Sequence, residues 1–138
     1  MCHTLAEPLD WSFQNRSGAH LDGADHSGSN FRRAVLDGVR FNGINFEGSD
    51  FRRASLVGAD LMKCEFDDCD FRGADLRKAK MNISNWRNCR FDDADLRGIR
   101  GRHAIWEGST WYLAKMDEDL VRKLDKKWGR NGDLTPPR

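Results

Sequence analysis

Long apolar runs are missing from this sequence. No stretch approaches the roughly 20 apolar residues that a membrane-spanning helix needs, so such a helix is not expected. Charge of one sign is missing too: 23 basic and 22 acidic residues leave a net charge of +1, which by itself selects no partner. Proline occurs only three times against 13 glycines, a balance that favours many regular turns over a disordered linker. The four cysteines (Cys2, Cys64, Cys69, Cys89) form no CxxC pair, so neither a zinc site nor a redox motif is indicated, and reduced thiols are expected. The first residues, MCHTLAEPLDW, lack the basic start and apolar core of a secretory signal. A soluble, cytoplasmic protein is the resulting expectation. With 38% hydrophobic and 33% charged residues, and a mean hydropathy of -0.76, the chain is too polar for a thick globular core. A fold with a thin interior would suit it.

What is present is a period of five. Read in fives from Ala19, the chain runs AHLDG, ADHSG, SNFRR, AVLDG, VRFNG, INFEG, SDFRR and onward in the same frame to Gly98. The third residue of each unit is Leu, Phe, Met or Trp, with His26 the exception, and the first is Ala, Ser, Cys, Val or Ile. Residues 99–113 follow the frame more loosely. Five matches neither the 3.6 period of a helix nor the 2.0 period of a strand. It matches a chain that turns a corner every five residues, with the first and third positions inward and the other three in water.

A second period, of twenty, tests this. Phe31, Phe51, Phe71, Phe91 and Trp111 form one column; Leu36, Leu56, Leu76 and Leu96 form another. A third contains His26, Phe46, Phe66, Trp86 and Trp106, and a fourth Leu21, Phe41, Leu61 and Met81. The fragment SNFRRA (29–34) returns as SDFRRA (49–54). A square coil of twenty residues stacks equivalent corners in this way. In these features, and above all in Ala59-Asp60-Leu61, Ala74-Asp75-Leu76 and Ala94-Asp95-Leu96, the sequence resembles the pentapeptide-repeat family with its A(D/N)LxX consensus. The resemblance covers about residues 19–113. It implies an all-β solenoid, a right-handed quadrilateral β-helix of about four to five coils rising about 4.8 Å each.

The expected organisation is an N-terminal cap over residues 1–18, the β-helix over 19–113, and a C-terminal helix with a mobile tail over 114–138. Leu5, Leu9, Trp11 and Phe13 supply apolar cover for one end, which a solenoid requires. From about Lys115 to Trp128, Met116, Leu120, Val121, Leu124 and Trp128 share one helical face. Acidic residues open that segment, lysines close it and Gly129 follows, an order suited to the helix dipole. This helix either lids the last coil or makes a dimer contact through that end.

Catalytic chemistry finds little footing. Asp67-Asp68 and Asp92-Asp93 pair carboxylates, but on outward positions where nothing raises a pKa. His3, His20, His26 and His103 have no metal-ligand spacing, and His26 belongs to an inward column. Cys69 and Cys89 lie one coil apart on an inward column, where cysteine serves as a small apolar filler. No phosphate-binding glycine loop is present. A non-enzyme without cofactor or metal is expected.

The frame also sorts charge by side. The side containing His26 and Phe46 carries Asp25, Glu47, Glu65, Asp67, Asp68 and Glu107 against Arg87 alone. The side before it is basic through Arg40, Lys63, Lys80, Arg100 and Arg102, opposed by Asp22 and Asp60. The Phe31 side carries Arg32, Arg33, Arg52, Arg53, Arg72 and Arg90 among four aspartates, and the Leu36 side balances. Six carboxylates along roughly 20 Å of rod approach the phosphate spacing of one DNA strand, about 3.4 Å. The acidic side is therefore the candidate partner-binding surface. Some members of the family that the sequence resembles mimic DNA on type II topoisomerases, and others are anti-CRISPR proteins that block target-DNA binding by the effector complex. The resemblance thus implies a DNA-mimicking inhibitor. A short rod that is not acidic overall and has no inserted loops is closer to the anti-CRISPR kind than to the topoisomerase-binding kind. A general interaction scaffold is the third reading. Direct nucleic-acid binding through Arg32, Arg33, Arg52, Arg53 and Arg72 is disfavoured, because base-stacking aromatics are missing and acids intervene.

Overall fold

The computed structural model describes residues 8–22 and 24–128. Leu5, Cys2, His3 and the segment after Trp128 lie outside the described residues. The chain winds as a quadrilateral β-helix in which each residue ahead of an inward apolar one bridges, in parallel, to its equivalent twenty residues on. The bridges begin at Asp10↔Asn30 and continue to Asp95↔Lys115. Where three consecutive residues pair, short strands result: β1 (His20–Asp22) and β2 (Arg40–Asn42) are parallel, with Leu21 opposite Phe41.

Most corners are tight turns closed by a hydrogen bond from the N–H three residues on, as from Ala54 to the Phe51 carbonyl at 3.0 Å, while at Ser29 and Cys64 the N–H donates to the hydroxyl of Ser49 and Ser84. The second central residue of such a turn has positive φ, the signature of type II geometry. Glycine fills many of these positions, and Arg33, Arg53, Asp68, Asn88 and Asp93 take the same left-handed conformation without it. Ile83 does so as well, with φ 59°. A β-branched residue is the poorest choice for this region.

Between corners, the two inward positions of each unit are buried from Ser29 to Leu96. Phe31, Phe51, Phe71 and Phe91 are fully buried. Their rings stack with centroids 4.7, 4.6 and 5.4 Å apart. The adjacent column stacks Phe46 on Phe66 at 5.3 Å and Phe66 on Trp86 at 4.2 Å. His26 extends this column downward, 6.3 Å from Phe46 and 7% exposed. A coil height near 4.8 Å is the distance between paired strands, so identical rings in register must lie face to face.

The corner positions need small side chains, and serine and cysteine do more there than fill space. Cys64, Cys69 and Cys89 each direct Sγ at a backbone carbonyl: those of Phe41 (2.8 Å), Phe46 (3.0 Å) and Phe66 (2.9 Å). Ser84 Oγ donates to the Leu61 carbonyl at 2.6 Å in the same manner. Burial pushes the Cys64 thiol up to about 12 and raises Cys69 and Cys89 as well.

At the N-terminal end, the hydrogen-bond ladder is already established by Trp11, whose N–H donates to the Asn30 carbonyl. Its indole meets Phe31 edge-on at 5.7 Å, and the Arg16 guanidinium lies 4.6 Å over it. At the other end a 3-10 turn (Trp111–Leu113) leads to α1 (Glu118–Trp128). The helix begins three residues later than the apolar spacing suggests. Lys115 is still bridged to Asp95, and the Asp117 carboxylate accepts the Gly98 N–H at 2.8 Å. Leu124 is buried, and Met116, Leu120, Val121 and Trp128 pack on the core. Gly101 stands where its column below has Leu61 and Met81. A cleft of about 590 Å³ lies there, walled by Trp106, Leu120 and Trp128.

Candidate protein-binding surface

Because every coil stacks in register, three outward rows run along each side. On the acidic side one row holds Asp25, Asn45, Glu65, Asn85 and Ile105, the next Ser27, Glu47, Asp67, Arg87 and Glu107, and the corner row includes Asp68. All six acids named from the sequence therefore belong to one side. They are not electrostatically alike.

Asp67 sits one coil below Arg87 and accepts its backbone N–H at 3.0 Å. The same guanidinium reaches the Asp67 carboxylate at 3.4 Å and Glu107 at 3.9 Å. One cation thus straddles two of the six carboxylates and tames the upper end of the strip. Asp25, Glu47, Glu65 and Asp68 have no ion-pair partner among the described residues. These four span two coil steps, about 10 Å at the usual inter-strand distance. The density of unpaired charge in that stretch stays near one per 3 Å. The backbone N–H of Ser27, then its hydroxyl, holds Asp25 below the usual carboxylate range, so it stays ionised in mild acid.

The Phe31 and Leu36 sides are quieter than their residue counts suggest, whereas Arg40, Lys63, Lys80, Arg100 and Arg102 on the side before the acidic one have no ion-pair partner among the described residues. An aspartate two positions before an arginine points the same way, and the pair closes on itself. Asp50 with Arg52, Asp70 with Arg72, Asp75 with Arg77 and Asp95 with Arg97 all form such bridges at 2.6–2.8 Å. Arg90 and Asp92 do the same in reverse order. The Arg97 guanidinium, bonded to Asp95, is the main cause holding that carboxyl below its usual range. Such pairing leaves Arg32, Arg33 and Arg53 as the uncompensated cations of the Phe31 side. The signal for it was in the sequence, as Asp-x-Arg within a repeat and as the 67/87/107 spacing.

Among the described residues, no group of three His, Cys, Asp or Glu could hold a metal ion. No helix among the described residues is long and apolar enough to cross a membrane.

The family model for pentapeptide repeats matches in eight copies, over residues 17–53, 31–68, 45–82 and 69–100. Similar solved structures include a pentapeptide repeat protein of the Arabidopsis thaliana thylakoid lumen, 25% identical, with a TM-score of 0.45 over 93% of this chain and 83% of that one. QnrB1, a plasmid-mediated fluoroquinolone resistance protein, is 19% identical with a TM-score of 0.48, over 79% of this chain and 65% of its own. HetL of the cyanobacterium Nostoc, involved in heterocyst differentiation regulation, is 19% identical with a TM-score of 0.40, over 79% of this chain and 66% of its own. No curated protein matches the chain. The matched repeats cover well over half of the sequence and coincide with the bridged coils, and the chain belongs to the pentapeptide repeat family.

Proposed function

We propose that this protein acts by binding another protein, and that its acidic side occupies the DNA-binding surface of a nucleic-acid-processing partner. The observation that supports this reading is the run of unpaired carboxylates at Asp25, Glu47, Glu65 and Asp68 on one straight side. Stacked strands fix the backbone spacing of these side chains before binding, so only their rotamers remain to be ordered, which suits a mimic of a regular polyanion. A CRISPR effector complex is the favoured partner. The unbroken twenty-residue register admits no inserted loop between Asp25 and Ile105, so the strip is a short plug for a groove. A type II topoisomerase is the second candidate.

The test is displacement of labelled duplex DNA from a purified CRISPR effector complex and, in parallel, from DNA gyrase. The variant Glu47→Lys, Glu65→Lys, Asp68→Asn keeps Asp67, which anchors the Arg87 backbone, and supplies an Asn that suits the left-handed corner. Displacement that weakens with salt and disappears in the variant, with unfolding unchanged, supports the reading. A variant as active as the parent overturns the acidic side as the surface. No displacement from either partner overturns DNA mimicry for both and leaves the scaffold reading.

A further inference from the structure

One corner of the rod, between the Phe31 and Leu36 sides, carries a charge pattern of its own. Its outermost residues, one per coil, are Phe13, Arg33, Arg53, Gly73, Asp93 and Leu113. Backbone bonds stack them in order: the N–H groups of Phe13, Arg33, Arg53 and Gly73 each donate to the coil above. Phe13 and Leu113 are 68% and 50% exposed, two of the three large hydrophobic side chains left open on the surface among the described residues, and they cap the two ends of this single row. Phe13 holds φ 61° in addition, a conformation that a bulky residue rarely adopts. Arg33, Arg53 and Asp93 have no ion pair among the described residues.

The row is complementary to itself when reversed. A two-fold axis perpendicular to the rod, midway between Arg53 and Gly73, sets Phe13 against Leu113 of a second copy. It sets Arg33 against Asp93 and Arg53 against Gly73. The row behind it follows, with Arg32 opposite Asp92. Such pairing, in which each residue meets its complement twice, is what an isologous dimer requires. At the axis the surface is low: Arg53 lies over Gly73, its Cγ 3.2 Å from where a Cβ at Gly73 would stand. The shallow groove around this point has a volume of about 430 Å³. Among the described groups free of an ion pair within the chain, the two Arg53 side chains are the like charges that meet there, against the Arg33–Asp93 pairing made twice; Asp92, opposite Arg32, is already bridged by Arg90. Arg52 and Arg72 arrive already neutralised by Asp50 and Asp70.

We propose that this corner is a dimerisation seam that joins two copies of the chain side by side and antiparallel. A nucleic-acid strand fits the same row poorly, because the arginines give way to Asp92 and Asp93 partway along it. The seam is about 24 Å long at the usual coil spacing and narrow, which puts it at the small end of specific interfaces. The dimer is therefore weak and salt-sensitive, and its acidic sides stay open. It does not depend on what the acidic side binds.

Sedimentation equilibrium of the full chain at low salt, from about 10 to several hundred micromolar, where small interfaces associate, tests the seam. The mass rises with concentration from the 15.8 kDa protomer towards its double. Arg33→Asp or Asp93→Arg alone weakens association about tenfold, as two lost attractions and two new repulsions between exposed charges add up. The double exchange restores it. Phe13→Asn with Leu113→Asn weakens association with no change of charge, and the Asn suits the corner at residue 13. A chain that stays monomeric throughout, single exchanges that associate like the parent, or a double exchange no better than the singles each overturns the seam. The Glu47, Glu65, Asp68 variant dimerises like the parent, which separates this outcome from that of the DNA-displacement test.

Discussion

Phe51 is the residue on which the interior can be tested most sharply. It is fully buried and stacks on Phe31 at 4.7 Å and on Phe71 at 4.6 Å, with interplanar angles of 13° and 7°. It also meets Phe46 and Phe66 edge-on at 5.8 and 5.7 Å. Truncation to alanine removes all four contacts. Relaxation cannot close the gap, because the coil above is held by the bond from Phe51 N–H to the Asp70 carbonyl at 2.8 Å. A Phe→Ala change at a site that cannot collapse costs about 3–5 kcal/mol, and the upper half of that range applies here. For a chain of this size each kcal/mol moves Tm by about 4 °C, so a fall of about 15–20 °C is expected. Phe51→Leu is milder, at about 1–1.5 kcal/mol, since leucine already fills the Leu36 column and changes shape more than volume. Trp11→Ala, at the end of the stack, loses an edge contact with Phe31, a tilted one with Phe41 and a cation over the ring, all at a half-buried site, and costs less than half as much as Phe51→Ala. Urea unfolding followed by both fluorescence and circular dichroism measures all three, and coincidence of the probes licenses the two-state treatment. A Phe51→Ala loss below about 1 kcal/mol, far under the usual range, or equal to that of Trp11→Ala, refutes the claim that the aromatic stack holds the coils.

Two further outcomes follow from the corners. Ile83 combines a left-handed backbone with 51% exposure, so Ile83→Asn relieves strain without losing a core contact and raises stability by about 1 kcal/mol in the same urea assay; a loss would show that the isoleucine makes an interaction worth more than its strain. The buried thiols make stability pH-dependent in the alkaline direction. Unfolded cysteine ionises near about 8.5, whereas Cys64 is pushed up to about 12 by burial and Cys69 and Cys89 are raised likewise. The stabilisation is complete below the unfolded value and declines as pH rises towards the folded one, by up to about 1.4 kcal/mol per pH unit per thiol. Urea midpoints at pH 8 and 9.5 should therefore fall steeply in the parent and little in a variant with Cys64→Ala, Cys69→Ala and Cys89→Ala; parallel slopes would refute the assignment.

The interior was legible because two short periods over-determine it. Five fixes which residues turn inward, and twenty fixes which of them meet, so the pairs Phe31/Phe51 and Phe66/Trp86 follow from counting. Surface chemistry was less legible, for a reason that the same lattice explains. Sorting charges by side assigns each residue a face but not a partner. In this fold two offsets dominate the pairing: two residues within a unit, which closes Asp70 on Arg72, and twenty between coils, which places Arg87 between Asp67 and Glu107; an offset of eighteen adds longer contacts from Arg52 to Asp70 and from Arg77 to Asp95. Counting by side therefore overstated the Phe31 side and the upper end of the acidic one. The helix start was missed because apolar spacing does not report that Lys115 still belongs to the ladder.

Those offsets also separate what this surface needs for folding from what it has to spare. Charges paired at two or at twenty are spoken for by the coil, as Arg52, Arg77, Arg87 and Arg97 are, and replacing them disturbs neighbours as much as any partner. Charges that neither offset satisfies contribute little to holding the rod together and add repulsion along it. Along the coils they gather in three places: Asp25, Glu47, Glu65 and Asp68 on one side, Arg40, Lys63, Lys80, Arg100 and Arg102 on the side before it, and Arg32, Arg33 and Arg53 with Asp93 on the corner between the next two. A solenoid needs charge to stay in solution, but solubility is served equally well by paired or scattered groups. Clustered, unpaired charge of one sign on a rigid repeat is what electrostatic complementarity to a second surface uses, for approach and for register alike. Of these clusters the corner is the one that contains its own opposite. The acidic side must look to another molecule for its complement, and the corner can find one in a second copy of itself.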